Sequence, residues 1–315
     1  MPNAPPDRGS SARQRRRRIM LRPITACVDG SPESLAGARW AAREAQRRHV
    51  PLRILHAWEW APHPSVVVPA DVSQHHWARR ILSEAGDLIR VEYPDLHVDE
   101  EQVPVPPTAA LHDASAESAL LVLGSRGVSG FTGYLVGSVA LQVVARAECP
   151  VVLVRAGQQS EDEHQLAAAR PPTGTLHRDV VIGIDVDQPC DEVIAFAYEA
   201  ARLRGAAVRF IHCYRTPTLY AVGTGAISGP ELAAERQQTL TAVIRQWQDK
   251  YPDVVTTGTA DQGRAAPHLL RASREASLLV LGRRRHRGHI GAHNGPVTHA
   301  AMHHALCPVA VVPHD

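Results

Sequence analysis

The second half of the 315-residue chain repeats the first half, and this repeat constrains the fold more than any other feature. The segment Ile24–Gly30 reappears as Val180–Val186, so that Asp29 aligns with Asp185, 156 residues later. Further along, the pentapeptide LLVLG and a segment around Cys-Pro also recur, at an offset of 158 residues. Each half is therefore one structural unit, in agreement with the two domains expected at about 150 residues per domain.

Within each copy, short apolar runs alternate with segments of helical periodicity. The strands predicted in the first copy are Ile24–Val28, Leu52–Ala57, Val98–Val103, Leu120–Leu123 and Val151–Val154. Strands separated by helices are expected to run parallel and to be covered on both faces. The sequence therefore predicts an α/β protein of two tandem doubly wound, Rossmann-like domains, each with a five-stranded parallel sheet. In such sheets, ligands bind beyond the carboxyl ends of the strands.

The remaining segments set the domain boundaries. Residues 1–18 have no apolar periodicity and end in a run of arginines, which predicts a disordered basic tail. Residues 156–178 are polar and unpatterned, with several prolines and glycines, which is typical of a linker. We therefore expect domain 1 to span residues 19–155 and domain 2 to span residues 179–315.

Composition and charge exclude several classes of protein. No run approaches the roughly 18 apolar residues that a transmembrane helix needs, so we expect no membrane contact. A net charge of +2 gives no broad basic surface, so nucleic acid is not an expected partner beyond transient contact with the tail. The five cysteines are scattered without a C-x-x-C pair, which favours a reducing, cytoplasmic location and no metal site.

The scarcity of lysine excludes further classes. Lys250, the only lysine, fits none of the positions that a Walker A loop, a protein kinase or a pyridoxal enzyme requires. If the protein binds phosphate, backbone amides, helix N-termini and arginines must therefore hold it.

A glycine-rich segment follows the fourth predicted strand of domain 1. Its five glycines are Gly124, Gly127, Gly130, Gly133 and Gly137. Because an ordered glycine costs backbone entropy, this density favours a loop whose main chain approaches a ligand closely; a flexible loop without a ligand is the alternative. A helix is predicted to open at Gly137-Ser138-Val139, where unpaired amides suit an anion, and Arg126 is the nearest cation.

The spacing of this segment resembles the G-x2-G-x9-G-[S/T] signature of the ATP-binding universal stress proteins. Gly124 and Gly127 supply its first two glycines, and Gly137-Ser138 supply its end. The resemblance implies ATP, with or without magnesium, bound through its phosphates by Gly124, Gly127, Gly137, Ser138 and Val139. It also implies that Asp29 contacts the ribose or the adenine, and that the backbone of Ala57 contacts the adenine. Asp29 could instead cap the helix after the first strand.

Domain 2 departs from the signature at two positions. Arg285 replaces the second glycine and Pro296 replaces the serine. Since arginine cannot follow a glycine-only backbone path and proline lacks an amide donor, we expect this domain to bind ATP weakly or not at all. A different anion site, formed by Arg283, Arg284, Arg285 and Arg287, is the alternative. Histidines crowd the same segment, and His299 and His303 could share a helix face toward a metal, but solvated polar residues are the simpler interpretation.

Together these patterns predict an ATP-binding regulator of the stress response rather than an enzyme. No carboxylate pair for magnesium and no base-activated nucleophile stands beside the loop, so a slow ATPase and a nucleotide-independent interaction protein are the alternatives. Similar proteins pair their last strands across a two-fold axis, and Val151–Val154 and Val309–Val312 could do so within one chain. We therefore expect an intramolecular pseudo-dimer with unidentified protein partners, and a further homodimer stays open.

Overall fold

The computed structural model describes residues 22–58, 70–125, 137–157, 177–215, 229–285 and 294–315. Domain 1 contains β1 (Ile24–Cys27), α1 (Pro32–Arg48), β2 (Leu52–Ala57), α2 (Ala70–Glu92), β3 (Val98–Val103), α3 (Pro107–Glu117), β4 (Leu120–Ser125), α4 (Ser138–Arg146) and β5 (Val151–Arg155). Domain 2 contains β6 (Asp179–Ile184), α5 (Asp191–Arg204), β7 (Val208–Tyr214), α6 (Gly229–Gln248), β8 (Thr256–Gln262), α7 (Ala265–Ala272), β9 (Ala276–Arg284), α8 (Pro296–His304) and β10 (Val309–His314).

All ten strands form one sheet in the order β3-β2-β1-β4-β5-β10-β9-β6-β7-β8. Neighbouring strands within each domain are parallel, whereas β5 and β10 pair antiparallel at the centre, with Ala310 opposite Val152. Each domain therefore covers the other's last strand, which would otherwise be an open edge. The predicted tandem doubly wound fold and the intramolecular pseudo-dimer are confirmed.

The predicted strands of domain 1 are present with small changes at their ends. β1 ends at Cys27, one residue before the predicted end, and β4 continues to Ser125 because Ser125 pairs with Arg155. The predicted basic tail and all but the ends of the predicted linker lie outside the described residues. Among the helices that the structure describes, none is long and apolar enough to cross a membrane.

Two apolar layers cover the sheet, one on each face. One layer packs α1, α2, α5 and α6 around side chains such as Trp40 and Phe210. The other packs α3, α4, α7 and α8 around side chains such as Leu111 and Leu279. Each layer contains residues of both domains, so the apolar core is continuous across the β5–β10 junction.

A buried ion pair also joins the two domains, between α1 and α5. The Nη2 atom of Arg204 lies 2.7 Å from Oε2 of Glu44, and the side chains are 0% and 1% exposed. Burial alone would raise the pKa of Glu44, but Arg204 and Arg48 outweigh burial and lower it from 4.5 to about 2. Arg204 lies over Trp40 and Arg48 over Phe196, at 5.6 and 5.5 Å from the ring centroids, two contacts related by the repeat.

Candidate functional site

Asp29 lies just beyond the carboxyl end of β1, at the edge where doubly wound sheets bind ligands. Its Oδ1 atom accepts hydrogen bonds from the amide and the hydroxyl of Ser31, at 3.0 and 2.5 Å. Ser31, not Asp29, is the N-cap of α1, because its hydroxyl accepts from the amide of Ser34 at 3.2 Å. Asp29 therefore orients the cap residue while its exposed side chain stays at the ligand edge of the sheet.

Ala57 is the last residue of β2 and pairs with Val103 of β3. The neighbouring His56 is a site residue that the sequence analysis missed. Its side chain is buried, and Nδ1 lies 2.6 Å from the carbonyl oxygen of Val28. The contact joins the end of β2 to the end of β1 and so fixes the two strand ends relative to each other. Its recurrence as His212 in the second copy was the sequence signal that could have identified it.

Gly124 has a structural requirement of its own. A Cβ atom at this position would overlap the backbone of Glu33 and Ser34 in the first turn of α1. β4 and α1 can therefore approach this closely only with glycine at position 124. The need for this glycine follows from helix-strand packing.

The start of α4 presents backbone donors without a side-chain cap. Gly137 is the N-cap, makes no side-chain capping hydrogen bond, and would have open space around an added Cβ atom. Ser138 is exposed and Val139 is half-buried. The first amides of the helix lack intrahelical acceptors, and the positive end of the helix dipole lies there. Arg126 and Gly127, the other predicted contacts, lie outside the described residues.

In domain 2, a cleft of about 500 Å³ lies beyond the carboxyl ends of β6, β7 and β9. Its walls include Asp185, His212, Gly282 and Thr298, which align with Asp29, His56, Gly124 and Ala140. A second cleft of about 550 Å³ shares part of this wall and extends to Arg283 and Pro296. The repeat therefore places the equivalents of Asp29 and Gly124, two of the predicted domain 1 residues, around one cavity, together with the equivalent of His56.

The polar groups of this cleft are partly satisfied by one another. Asp185 accepts a hydrogen bond from the amide of Asp187 at 3.1 Å, and Asp187 pairs with Arg236 at 2.6 Å. Nδ1 of His212 lies 3.1 Å from the carbonyl oxygen of Ile184, as in domain 1. The buried Nε2 atom of His212 has no hydrogen-bond partner among the described residues. When Nδ1–H donates to Ile184, Nε2 becomes an acceptor at the cleft wall.

The arginines that replace the glycine motif in domain 2 contact domain 1. Arg283 is buried and donates to the carbonyl oxygens of Ala145 and Ala147, the first at 3.0 Å and the second at 2.5 Å. Arg285 donates to the carbonyl oxygen of Glu148 at 3.1 Å. Burial and the nearby Arg285 lower the pKa of Arg283. The guanidinium groups of Arg283 and Arg285 thus bind backbone carbonyl oxygens of domain 1. Arg287, another predicted anion contact, lies outside the described residues.

The histidines of α8 stand close together. The ring centroids of His299 and His303 are 4.4 Å apart. Within the described ranges, no three histidine, cysteine or carboxylate side chains group as metal ligands would. His286, His289 and His293 of the same segment lie outside those ranges.

The fold and this edge of the sheet define a class of protein: a tandem doubly wound α/β chain with a glycine-rich segment after the fourth strand. A family model described as the universal stress protein family matches residues 20–155 and again residues 177–313. The chain therefore belongs to the universal stress protein family, with two copies of the family's domain.

Relatives share the whole tandem arrangement. Universal stress protein Rv1996 of Mycobacterium tuberculosis is 30% identical over 325 residues, covering 93% of this chain and 96% of that protein. Universal stress protein Rv2623 of the same organism is 28% identical over 293 residues, covering 90% and 94%. The crystal structure of a universal stress protein from Archaeoglobus fulgidus matches with a TM-score of 0.67 at 16% identity, covering 94% of this chain and all of that one. At this identity the structural likeness shows the fold alone.

Proposed function

We propose that the protein is an ATP-binding regulator and that domain 1 holds the nucleotide. The observation that carries the proposal is the start of α4, where Gly137 and Ser138 leave the first amides without a side-chain cap. This helix start completes the glycine spacing that begins at Gly124. Backbone amides at a helix N-terminus bind phosphate without lysine, as this nearly lysine-free chain requires.

The remaining contacts of the nucleotide follow from the edge of the sheet. The carboxylate of Asp29 accepts hydrogen bonds from the ribose hydroxyls, and the backbone of Ala57 contacts the adenine. Gly127 and Arg126 complete the phosphate site as predicted from the sequence, with or without magnesium. The buried contact between His56 and Val28 supports this arrangement because it fixes the two strand ends relative to each other.

The proposal describes a binding protein rather than a dedicated enzyme, with weak ATP hydrolysis as the alternative. Nucleotide occupancy would alter contacts with protein partners in the cytoplasm during stress.

We also propose that the domain boundaries fall after residues 18, 155 and 178. A nucleotide-independent interaction protein is the second candidate, favoured by the packing role of Gly124, which accounts for that glycine without a ligand.

Isothermal titration with ATP and magnesium tests the proposal, after bound nucleotide is removed by denaturation and refolding. We expect one ATP per chain, because domain 2 has Pro296 and Arg285 where the signature has serine and glycine. Two ATP per chain would show that the domain 2 cleft binds the nucleotide despite these changes. No binding would overturn the proposal and favour the interaction protein.

A further inference from the structure

Helix α4 depends on its surroundings for its position. It has nine residues, and isolated helices of this length are marginal in water. Ala140, Val143 and Val144 bury one face of α4 in the apolar layer of domain 1. Polar contacts along α4 and at its C-terminal end therefore also help to fix its direction.

Those polar contacts come from domain 2. The buried guanidinium group of Arg283 donates to Ala145 in the last turn of α4 and to Ala147, its C-cap. The side-chain amide of Asn294 donates to the carbonyl oxygen of Leu141 at 3.1 Å. Both of these acceptors of Arg283 are backbone carbonyl oxygens rather than carboxylates. The positive charge of Arg283 thus lies at the negative end of the α4 dipole, where a cation stabilises a helix.

The backbone of Arg283 is fixed by the sheet. Arg283 lies on β9 and pairs with Pro313 of β10, so its backbone belongs to the central part of the sheet. The proposed phosphate contacts lie at the opposite end of α4, about 14 Å away for nine residues at 1.5 Å each. A change at the C-terminal end can therefore reach these contacts through the direction and order of the helix, whereas direct Coulomb attraction over that distance is screened.

We propose that Arg283 is a positioning residue for the phosphate site of domain 1, and that the altered loop of domain 2 acts as its support. The inference rests on the proposed function, because it concerns the same nucleotide. The position that aligns with Ser125 of domain 1 carries Arg283, beside the position where the first glycine of the signature is retained as Gly282. Arg283 thus lies within the segment that has lost the signature through Arg285 and Pro296, and it contacts the helix of the other domain.

The test compares Arg283→Gln with Arg209→Gln in the full chain. Arg209 is a matched control, because it donates at 3.3 Å to the carbonyl oxygen of Ala272, the last residue of α7. Titrations with ATP and with adenosine are made for both variants and for the wild type. We expect Arg283→Gln to weaken ATP binding by about 5- to 10-fold, within the range reported for couplings between distant sites. Adenosine binding should change by less than about twofold, because adenosine lacks the phosphates that contact α4, and Arg209→Gln should change neither.

Equal losses of ATP and adenosine in Arg283→Gln would show a general structural effect and overturn the inference. Unchanged ATP affinity in that variant, with normal binding by the wild type, would overturn the inference and leave the proposed function intact. If the wild type binds no ATP, the proposed function fails and the inference about phosphate fails with it.

Hydrogen exchange at the amides of α4 supplies a readout that needs no nucleotide. Arg283→Gln should speed exchange there, and Arg209→Gln should not. Arg283→Lys, which keeps the charge but loses the bidentate geometry, should give intermediate exchange and intermediate ATP affinity, and it replaces Arg283→Gln if that variant does not fold. Unaltered exchange in Arg283→Gln and Arg283→Lys would show that Arg283 does not fix the helix.

Discussion

Domains 1 and 2 share a fold but differ most in chemistry at the segment after their fourth strands. Both helices that follow have a glycine N-cap, but in domain 1 α4 begins with Ser138, which has an amide donor. In domain 2, α8 opens with Pro296, and Arg283 and Arg285 donate to backbone carbonyls of domain 1. The difference teaches that, after a duplication, a segment that has lost the glycine signature in one copy can contact the other copy.

A second asymmetry lies between α1 and α5. Arg48 and Arg204 occupy equivalent positions, and each lies over an aromatic ring of the other domain. Glu44, however, aligns with Ala200, so domain 2 lacks the buried carboxylate that contacts arginines of both copies; Arg48 also lies 3.8 Å from the half-exposed Glu199. A pair of two second domains would lack this buried carboxylate and would leave such arginines with the half-exposed Glu199, which disfavours that pairing relative to the observed one.

The largest expected effect tests this second asymmetry. Glu44→Ala copies the residue of domain 2 and leaves buried Arg204 without its partner. We expect a loss of about 3–5 kcal/mol in the free energy of unfolding, since removing one member of a buried ion pair leaves an uncompensated charge. Urea unfolding measures the loss. The control is Glu92→Ala, which removes a half-exposed pair with Arg39 and should cost less than about 1 kcal/mol. Similar costs in the two variants would contradict the asymmetry.

The same residue gives a pH dependence with a defined sign. Because the folded-state pKa of Glu44, about 2, lies below its ordinary value of 4.5, its contribution to stability is complete above about pH 4.5. The contribution is lost as the pH falls from 4.5 toward 2. The difference in unfolding free energy between wild type and Glu44→Gln should therefore shrink over this interval. A difference that stays constant from pH 5 to pH 2 would show that Glu44 is not the titrating group.

The next expected effect concerns the glycine-rich segment of domain 1 and its counterpart in domain 2. Gly127→Arg copies Arg285 into domain 1 and places a side chain in the path of the phosphates, so ATP affinity should fall by at least about 100-fold, or about 2.7 kcal/mol. Thermal stability should stay nearly unchanged, because position 127 lies between the end of β4 and the start of α4 and belongs to neither element. Gly130→Arg, in the nine-residue spacer of the signature, is the matched control and should retain binding. Unchanged ATP affinity in Gly127→Arg would show that this segment does not contact the phosphates.

A third pair of variants compares equivalent glycines. Gly124→Ala should destabilise the fold by about 2–3 kcal/mol, because the new Cβ would overlap the backbone of Glu33 and Ser34 in α1. Gly282→Ala should cost less than about 1 kcal/mol, since its nearest neighbours are side-chain atoms of His314 and Val193, at 2.9 and 3.1 Å, which can move. The midpoints of urea unfolding measure the two losses of stability. Equal losses in Gly124→Ala and Gly282→Ala would show that β4 and α1 can move apart to accommodate the new Cβ atom.

The repeat and its hydrophobic periodicity were sufficient to predict the fold of two tandem domains, and the resemblance to the universal stress proteins implied the pairing of β5 with β10. They could not predict Glu44–Arg204, because the partners are 160 residues apart and no local pattern joins them. They also could not predict the role of Arg283, whose acceptors are backbone carbonyls that carry no residue-type signal. For the site, the sequence indicated Asp29, Ala57 and Gly137–Val139 at one edge of the sheet, but not that Ser31 caps α1.

The smallest expected effect is a gain in domain 2. Arg285→Gly with Pro296→Ser restores the second glycine and the serine of the signature. The neighbouring cleft retains Asp185 and the buried Nε2 atom of His212. We expect weak additional ATP binding, seen as a second site in isothermal titration, with affinity at least tenfold below that of domain 1, because Arg283 and Arg284 stay at the end of β9. Loss of the Arg285 contact to Glu148 should lower thermal stability only slightly, as this residue is exposed. If the double variant gains no site, the two substitutions are not sufficient, and the divergence of domain 2 extends to the residues that line its cleft.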